Sequence, residues 1–223
     1  MFMRTLFASL CFLAAGWPAL AETPAQARWQ PKSGDEIRFN VTREGKPFGS
    51  HVVTFETAPD GTLKATTEVS LKAGLGPVTL FRYNLAATET WMGGKLVALT
   101  GKVNDDGKKR SVTARRESGA LKVAGSDFTG TAPAGIVPAS HWNVAEASAR
   151  QLLSTEDGEI IDVKVTEIGP DRVNVGSALI DATHFRLDSA IDVDLWYDAQ
   201  GRWVKLAFVA RGQQIAYELD RLY

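Results

Sequence analysis

The stretch Glu36-Ile37-Arg38-Phe39-Asn40-Val41-Thr42 sets the reading of the whole chain. Apolar Ile37, Phe39 and Val41 alternate with polar neighbours, the period-two pattern of a strand with one buried face. Residues 44–49 then read as a hairpin loop, and the alternation resumes at Val53 and Phe55.

Working outward, the pattern recurs at Leu63, Val69 and Leu71, at Phe81, Tyr83 and Leu85, at Val97, Leu99 and Val103, and at Leu121 and Val123. Turn signals such as Pro59-Asp60-Gly61, Gly93-Gly94 and Asp105-Asp106-Gly107 separate the runs. After an irregular stretch, 125–141, Asn143 and Glu146 form a capping box, so a helix is expected over 144–153, with Glu146 and Arg150 as an i, i+4 pair. Strands follow through Val163 and Val165, Val173 and Val175, residues 179–187, Leu195 and Tyr197, Leu206 and Phe208, and Ile215 and Tyr217. The prediction is a mainly all-β domain: a strongly curved antiparallel meander of about ten to twelve strands, an open or partly closed barrel, with one short helix. The alternative is a two-sheet sandwich with a solid core. In the last hairpin, pairing Trp196 with Trp203 keeps like faces together, whereas a glycine bulge at Gly201 would slip the register by one.

The N-terminus carries Arg4, an apolar run over 6–15 and Ala19-Leu20-Ala21, the pattern of a signal peptide cut after Ala21. The expected organisation is a signal peptide at 1–21, a flexible leader at 22–34, and one β domain at 35–223 in the periplasm or the medium. Cys11 is the only cysteine and falls within the leader peptide, so the exported chain has no disulfide or thiol chemistry. Nothing after the signal peptide is long and apolar enough for a transmembrane helix. With 25 basic against 26 acidic residues, neither nucleic acid nor a strongly anionic membrane is the expected main partner. Lys108-Lys109-Arg110 and Arg115-Arg116 read as solvent-facing strand charges.

No local catalytic signature is present: there is no nucleophile elbow, zinc-binding helix or phosphate loop, and no cofactor is expected. Candidate ligand-binding residues are therefore chosen by facing. His51 shares the inward face of Val53 and Phe55, and the run Phe81, Tyr83, Leu85, Ala87 brings Glu89 and then Trp91 to the buried side. A carboxylate there must be neutral or matched, for which an arginine or an exposed strand end is the simple explanation. His141 and Trp142 precede the expected helix cap, in a loop able to look into a cavity mouth. Each histidine equally fits a structural role, and His184 is assigned none. The three lack the spacing of a metal site. Asp192, Asp194 and Asp198 fail as a calcium loop, since Tyr197 and Trp203 stand where glycine and glutamate belong, and Lys205 is available to Asp194. Trp196 and Trp203 form a candidate interaction face, unless the helix covers them.

Four stretches carry a resemblance: 39–51 with Gly45-Lys46-Pro47-Phe48-Gly49-Ser50-His51, 83–91 ending in Glu89-Thr90-Trp91, Ser140-His141-Trp142-Asn143, and 194–206 with Asp194-Leu195-Trp196-Tyr197-Asp198. On them the chain resembles a family of exported bacterial proteins catalogued as a domain of unknown function. The resemblance implies an exported, β-rich domain and brings no catalytic or binding residues. A looser, purely architectural likeness is to periplasmic lipoprotein carriers. The leading expectation is a binding or carrier protein for a hydrophobic or lipid-like ligand held in a β-sheet cavity. The alternative is a cell-envelope interaction module using an exposed aromatic face.

Overall fold

The computed structural model describes residues 28–75 and 78–223. The signal-peptide reading and the first part of the leader, 22–27, lie outside the described residues. The strands in chain order are β1 (Glu36–Arg43), β2 (Lys46–Thr57), β3 (Leu63–Leu75), β4 (Val78–Met92), β5 (Lys95–Asp105), β6 (Lys108–Glu117), β7 (Ala120–Gly125) and β8 (Thr129–Thr131), then β9 (Val137–Pro138), β10 (Gln151–Leu153) and β11 (Ile160–Asp162), then β12 (Lys164–Val175), β13 (Ala178–Asp188), β14 (Val193–Asp198), β15 (Trp203–Ala210) and β16 (Gln213–Leu219).

Thirteen of these strands form one curved antiparallel sheet in the order β12 to β16, then β1 to β8. β16 pairs with β1, Phe39 standing opposite Leu219, so the two ends of the domain meet in the middle of the sheet. The sheet does not close. Its edges are β8, three residues long, and β12, which carries a bulge between Glu167 and Gly169 followed by Pro170. A short edge and a kinked, proline-bearing edge both resist pairing with another chain. The bulge also explains why two separate runs in the sequence, at Val165 and Val173, are one continuous strand.

Alternation places Ile37, Phe39, Val41, Val53, Phe55, Leu99, Val103, Leu121, Leu195 and Leu206 on one buried face. Residues 132–162 cover it. This segment contains the small sheet β9–β10–β11 and a short 3-10 helix, Val144–Ser148. Two glycines seat it: a Cβ on Gly101 of β5 would meet the Thr155 carbonyl oxygen at 1.8 Å, and one on Gly125 of β7 the Asp157 carbonyl oxygen at 1.9 Å. Glycine within a strand here marks the close approach of another backbone. Tyr83 donates to Glu156 at 2.7 Å, while Arg110 meets both Glu156 and Asp157. The interior of the curved sheet is thus filled by the chain itself.

Three local expectations are corrected. The helix expected over 144–153 stops at Ser148, and Gln151–Leu153 is a strand. Asn143 does cap, accepting from Ala145 N at 3.1 Å, but Glu146 turns inward to His141 and not outward to Arg150. Leu152 and Leu153 bury themselves by pairing with Val137 and Pro138 on one side and Ile161 and Ile160 on the other. The last hairpin takes the bulged register: Trp196 faces Lys205, and Tyr197 faces Trp203. Asp198 fixes that turn, accepting from the backbone N–H groups of Gln200 and Arg202 and pairing with the Arg202 guanidinium. Finally, residues 28–34 are not a free leader. Trp29 N–H donates to Gln200, and its ring packs edge-on against Phe55 at 5.5 Å and Tyr223 at 4.8 Å.

Candidate functional site

Five of the sequence-predicted residues, His51, Glu89, Trp91, His141 and Trp142, converge where the 132–162 segment meets the sheet, and Trp203 joins them. Glu89 continues the inward row of Leu85 and Ala87 on β4 and is 1% exposed. Its partners are two indoles, not an arginine. Trp91 Nε1 donates to Oε2 at 2.8 Å, and Trp142 Nε1, from the covering segment, donates to Oε1 at 3.3 Å. Burial pushes the Glu89 carboxyl up to about 7, against the opposing effect of the Ser140 hydroxyl and the two indoles. Ser140 Oγ is buried and lies outside ordinary hydrogen-bond geometry, yet near enough to favour the charged form.

His141 anchors the same joint. Its φ of 65° is the left-handed conformation that a side chain with a Cβ rarely adopts. Glu146 holds it there with both oxygens, accepting from the His141 backbone N–H at 2.9 Å and contacting ring Nδ1 at 2.9 Å. Tyr197 donates its hydroxyl to the His141 carbonyl at 2.8 Å. Strain of this kind persists only where neighbours over-determine the geometry.

Trp203, fully buried, lies between two histidines: ring centroids are 5.4 Å from His141 and 5.2 Å from His51. His51 is buried with Nε2 lacking a partner, and burial together with the nearby His141 holds its pKa down to about 3. Trp142 completes the packing, edge-on to Phe55 at 5.3 Å and to Trp91 at 5.7 Å.

Chemically, this is a joint more than a reaction centre. The short contacts run from Glu89 to indoles and from His141 to Glu146, not among His51, His141 and Glu89, so they form no mutual acid–base pair. Two cavities open elsewhere. One, about 620 Å³, lies on the outside of β3–β6 around Ser70, Asn84 and Lys102; the other, about 280 Å³, lies by Arg43, Phe48 and Lys72. Among the described residues, no three histidine, cysteine or acidic side chains are grouped to hold a metal. Nor is any described helix long and apolar enough to cross a membrane.

The expected exposed aromatic face does not exist as such. The bulge sends Trp203 inward beneath His141, while Trp196 points to the other side of the sheet and is still only 6% exposed. Its ring is sandwiched between His184, stacked at 4.3 Å, and the Lys205 ammonium at 4.2 Å, and its Nε1 donates to Asp171 at 2.8 Å. Lys205 therefore serves Trp196, not Asp194, which instead pairs with His184 at 2.8 Å and with Arg186. Asp192 pairs with Arg186 as well, and Asp198 caps its turn.

Several contributors were not singled out from sequence: Ser140, Tyr197, Glu156, and the two seating glycines. Only Gly101 left a signal, a lone glycine in an otherwise alternating strand, while Gly125 falls where the irregular stretch begins.

Among solved structures, the chain is similar to a crystal structure of a β-barrel-like protein of the domain of unknown function DUF1849 from Brucella abortus. The TM-score is 0.59 at 11% identity, covering 83% of this chain and 95% of that one. The likeness speaks to the fold. No curated protein matches the sequence. The match to the domain of unknown function DUF6134 runs over residues 39–220 and includes every residue of the joint, and the chain belongs to that family.

Proposed function

We propose that this is an exported binding protein of the cell envelope, periplasmic or secreted, that takes an apolar, lipid-like molecule on the concave face of its sheet. The observation that carries the reading is the way residues 132–162 occupy that face. The face is a continuous apolar surface, the kind of lining on which ligand sites are built. Its cover is not a further layer of the large sheet but a largely irregular segment, seated on bare glycine backbone and held through Glu89, His141, Glu156 and Asp157. Removing such a cover exposes the apolar lining as one surface, and a ligand taking its place regains the burial. Residues His51, Glu89, Trp91, His141 and Trp142 form the joint that gives way. The reading that uses an exposed pair of tryptophans for a protein partner has lost its surface, because both rings are covered.

The test is Gly101→Ala, which drives a methyl group into the Thr155 carbonyl and unseats the segment. With a fluorescent apolar probe such as N-phenylnaphthylamine, the variant is expected to bind at least several-fold more tightly than the parent. Native mass spectrometry of gently isolated parent protein is expected to show an extractable mass. A folded variant that takes up no more probe than the parent, together with a bare parent mass, sinks the reading.

A further inference from the structure

One end of the barrel differs from the rest of the surface. The turns β1–β2, β5–β6 and β15–β16 fall there, together with the C-terminal end of β3 and the N-terminal end of β4. Their proximity is fixed by contacts across the mouth: Arg211 reaches Asp105 at 3.8 Å and lies over the Phe81 ring at 5.3 Å, and Glu44 binds the Gln214 backbone. Exposed cations gather on these turns and strand ends, Lys46, Lys72, Arg82, Lys108, Lys109 and Arg211, against the exposed acids Glu44 and Asp106 on the turns and Asp127 in the β7–β8 connection. Arg110, just inside, is taken up by Glu156 and Asp157, and the β13–β14 connection at the same end brings Asp188 and Asp192, both held by Arg186.

The end is also apolar where it projects. β3 and β4 are the longest strands, 13 and 15 residues, and their neighbours stop early: β2 pairs no further than Leu71, and β5 no further than Tyr83. Beyond those residues the ladder is a two-stranded ribbon carrying Lys72, Arg82 and Leu80, which at 67% has the highest exposure of any large apolar side chain described. Behind it Phe48 and Phe81 stack at 5.8 Å, with the Arg43 guanidinium over Phe48 at 5.2 Å. An exposed leucine on a projecting ribbon, ringed by lysine and arginine and backed by aromatic rings, has the composition of a surface that sits in a bilayer interface.

We infer that this end docks on an anionic lipid bilayer, with Leu80 entering the interface and the cations around it meeting the headgroup phosphates. The chain's near-zero net charge conceals the surface, because the attraction depends on local distribution within about a Debye length. The docking stands whether or not the concave face takes a ligand, since none of its residues belongs to the Glu89 joint.

The experiment is vesicle flotation of the purified protein, its N-terminus read by intact mass. Vesicles of phosphatidylglycerol in phosphatidylcholine are compared with pure phosphatidylcholine. The parent is expected to float with the anionic vesicles only, and less so as salt rises. Lys46→Glu, Lys72→Glu and Arg82→Glu together should weaken binding by roughly two orders of magnitude or more, and Leu80→Asp by several-fold. Lys64→Glu, Lys95→Glu and Arg115→Glu, on exposed positions toward the opposite end, make the same change in net charge and should leave binding intact. Absence of binding to anionic vesicles, equal binding to pure phosphatidylcholine, or equal loss in both triple variants overturns the inference. Thermal melts of each variant separate lost docking from lost fold.

Discussion

The joint at Glu89 and the sandwich at Trp196 are built from the same parts, on opposite faces of one sheet. In each, an indole N–H donates to a carboxylate at 2.8 Å, and a histidine pairs with a second carboxylate, at 2.9 Å inside and 2.8 Å outside. The carboxyls nevertheless shift in opposite directions. Glu89 is pushed up to about 7 by burial, while Asp171, facing water, is held below the usual carboxylate range by hydrogen bonds from Trp196 and the Arg172 backbone. The hydrogen bonds favour the charged form in both; access to water decides which effect wins.

The largest expected consequence concerns the indoles. Trp142 and Trp196 are buried to nearly the same extent, 5% and 6% exposed. Trp142, however, reaches from the 132–162 segment onto the sheet and is wedged against Phe55 and Trp91, whereas Trp196 is covered by His184 and Lys205, side chains that can close over a vacancy. Trp142→Ala is expected to cost about 4 kcal/mol in denaturant unfolding, and Trp196→Ala about half of that. Equal costs would mean that area alone governs the two sites.

A second effect comes from titration. The folded value of Glu89, about 7, lies above its ordinary 4.5, so the folded chain keeps a proton that the unfolded chain releases. That stabilisation is present below pH 4.5 and is lost as pH rises to about 7. His51 runs the other way: held down to about 3 from 6.5, it stays neutral while the unfolded chain protonates, so stability falls as pH drops from 6.5 through 3. Each contributes about 1.4 kcal/mol per pH unit within its window, with opposite sign, and the two offset each other between 4.5 and 6.5. Glu89→Gln should uncover a stability that rises with pH across that window, and His51→Phe one that falls. Urea unfolding of the parent and both variants at four or five pH values reads the slopes directly. Parallel curves would remove both groups from the account.

How much of this was legible in the sequence follows from the range of each interaction. Period-two alternation is local, so the facing of His51, Glu89 and Trp91 could be read from β2 and β4 alone. The second partner of Glu89 could not, because Trp142 arrives from 53 residues away along the chain. The helix expectation failed for the same reason: residues 144–153 have helical propensity, but Leu152 and Leu153 gain more by pairing with β9 and β11, and Glu146 is claimed by His141. In the last hairpin, alternation favoured matching Trp196 with Trp203. The turn at Asp198 imposed a bulge instead and sent the two rings to opposite faces. Turn chemistry outweighed face matching there, and with it went the expected aromatic face.

The smallest effect tests the comparison at its outer pole. Asp171→Asn keeps an oxygen for the Trp196 indole and removes only the charge. Because the Asp171 carboxyl is held below its usual range, its contribution is present above that range and lost as pH falls through its folded value. At an exposed site the loss should stay under about 1 kcal/mol and shrink further in high salt, since water and ions already screen the charge. The pH slope that Glu89→Gln alters should survive the same salt, since that carboxyl is buried away from bulk solvent and its ions. Unfolding curves for both variants at low and high salt therefore separate the two environments on one protein. If Asp171→Asn proved as costly and as indifferent to salt as the change at Glu89, water access would not be what distinguishes the two faces.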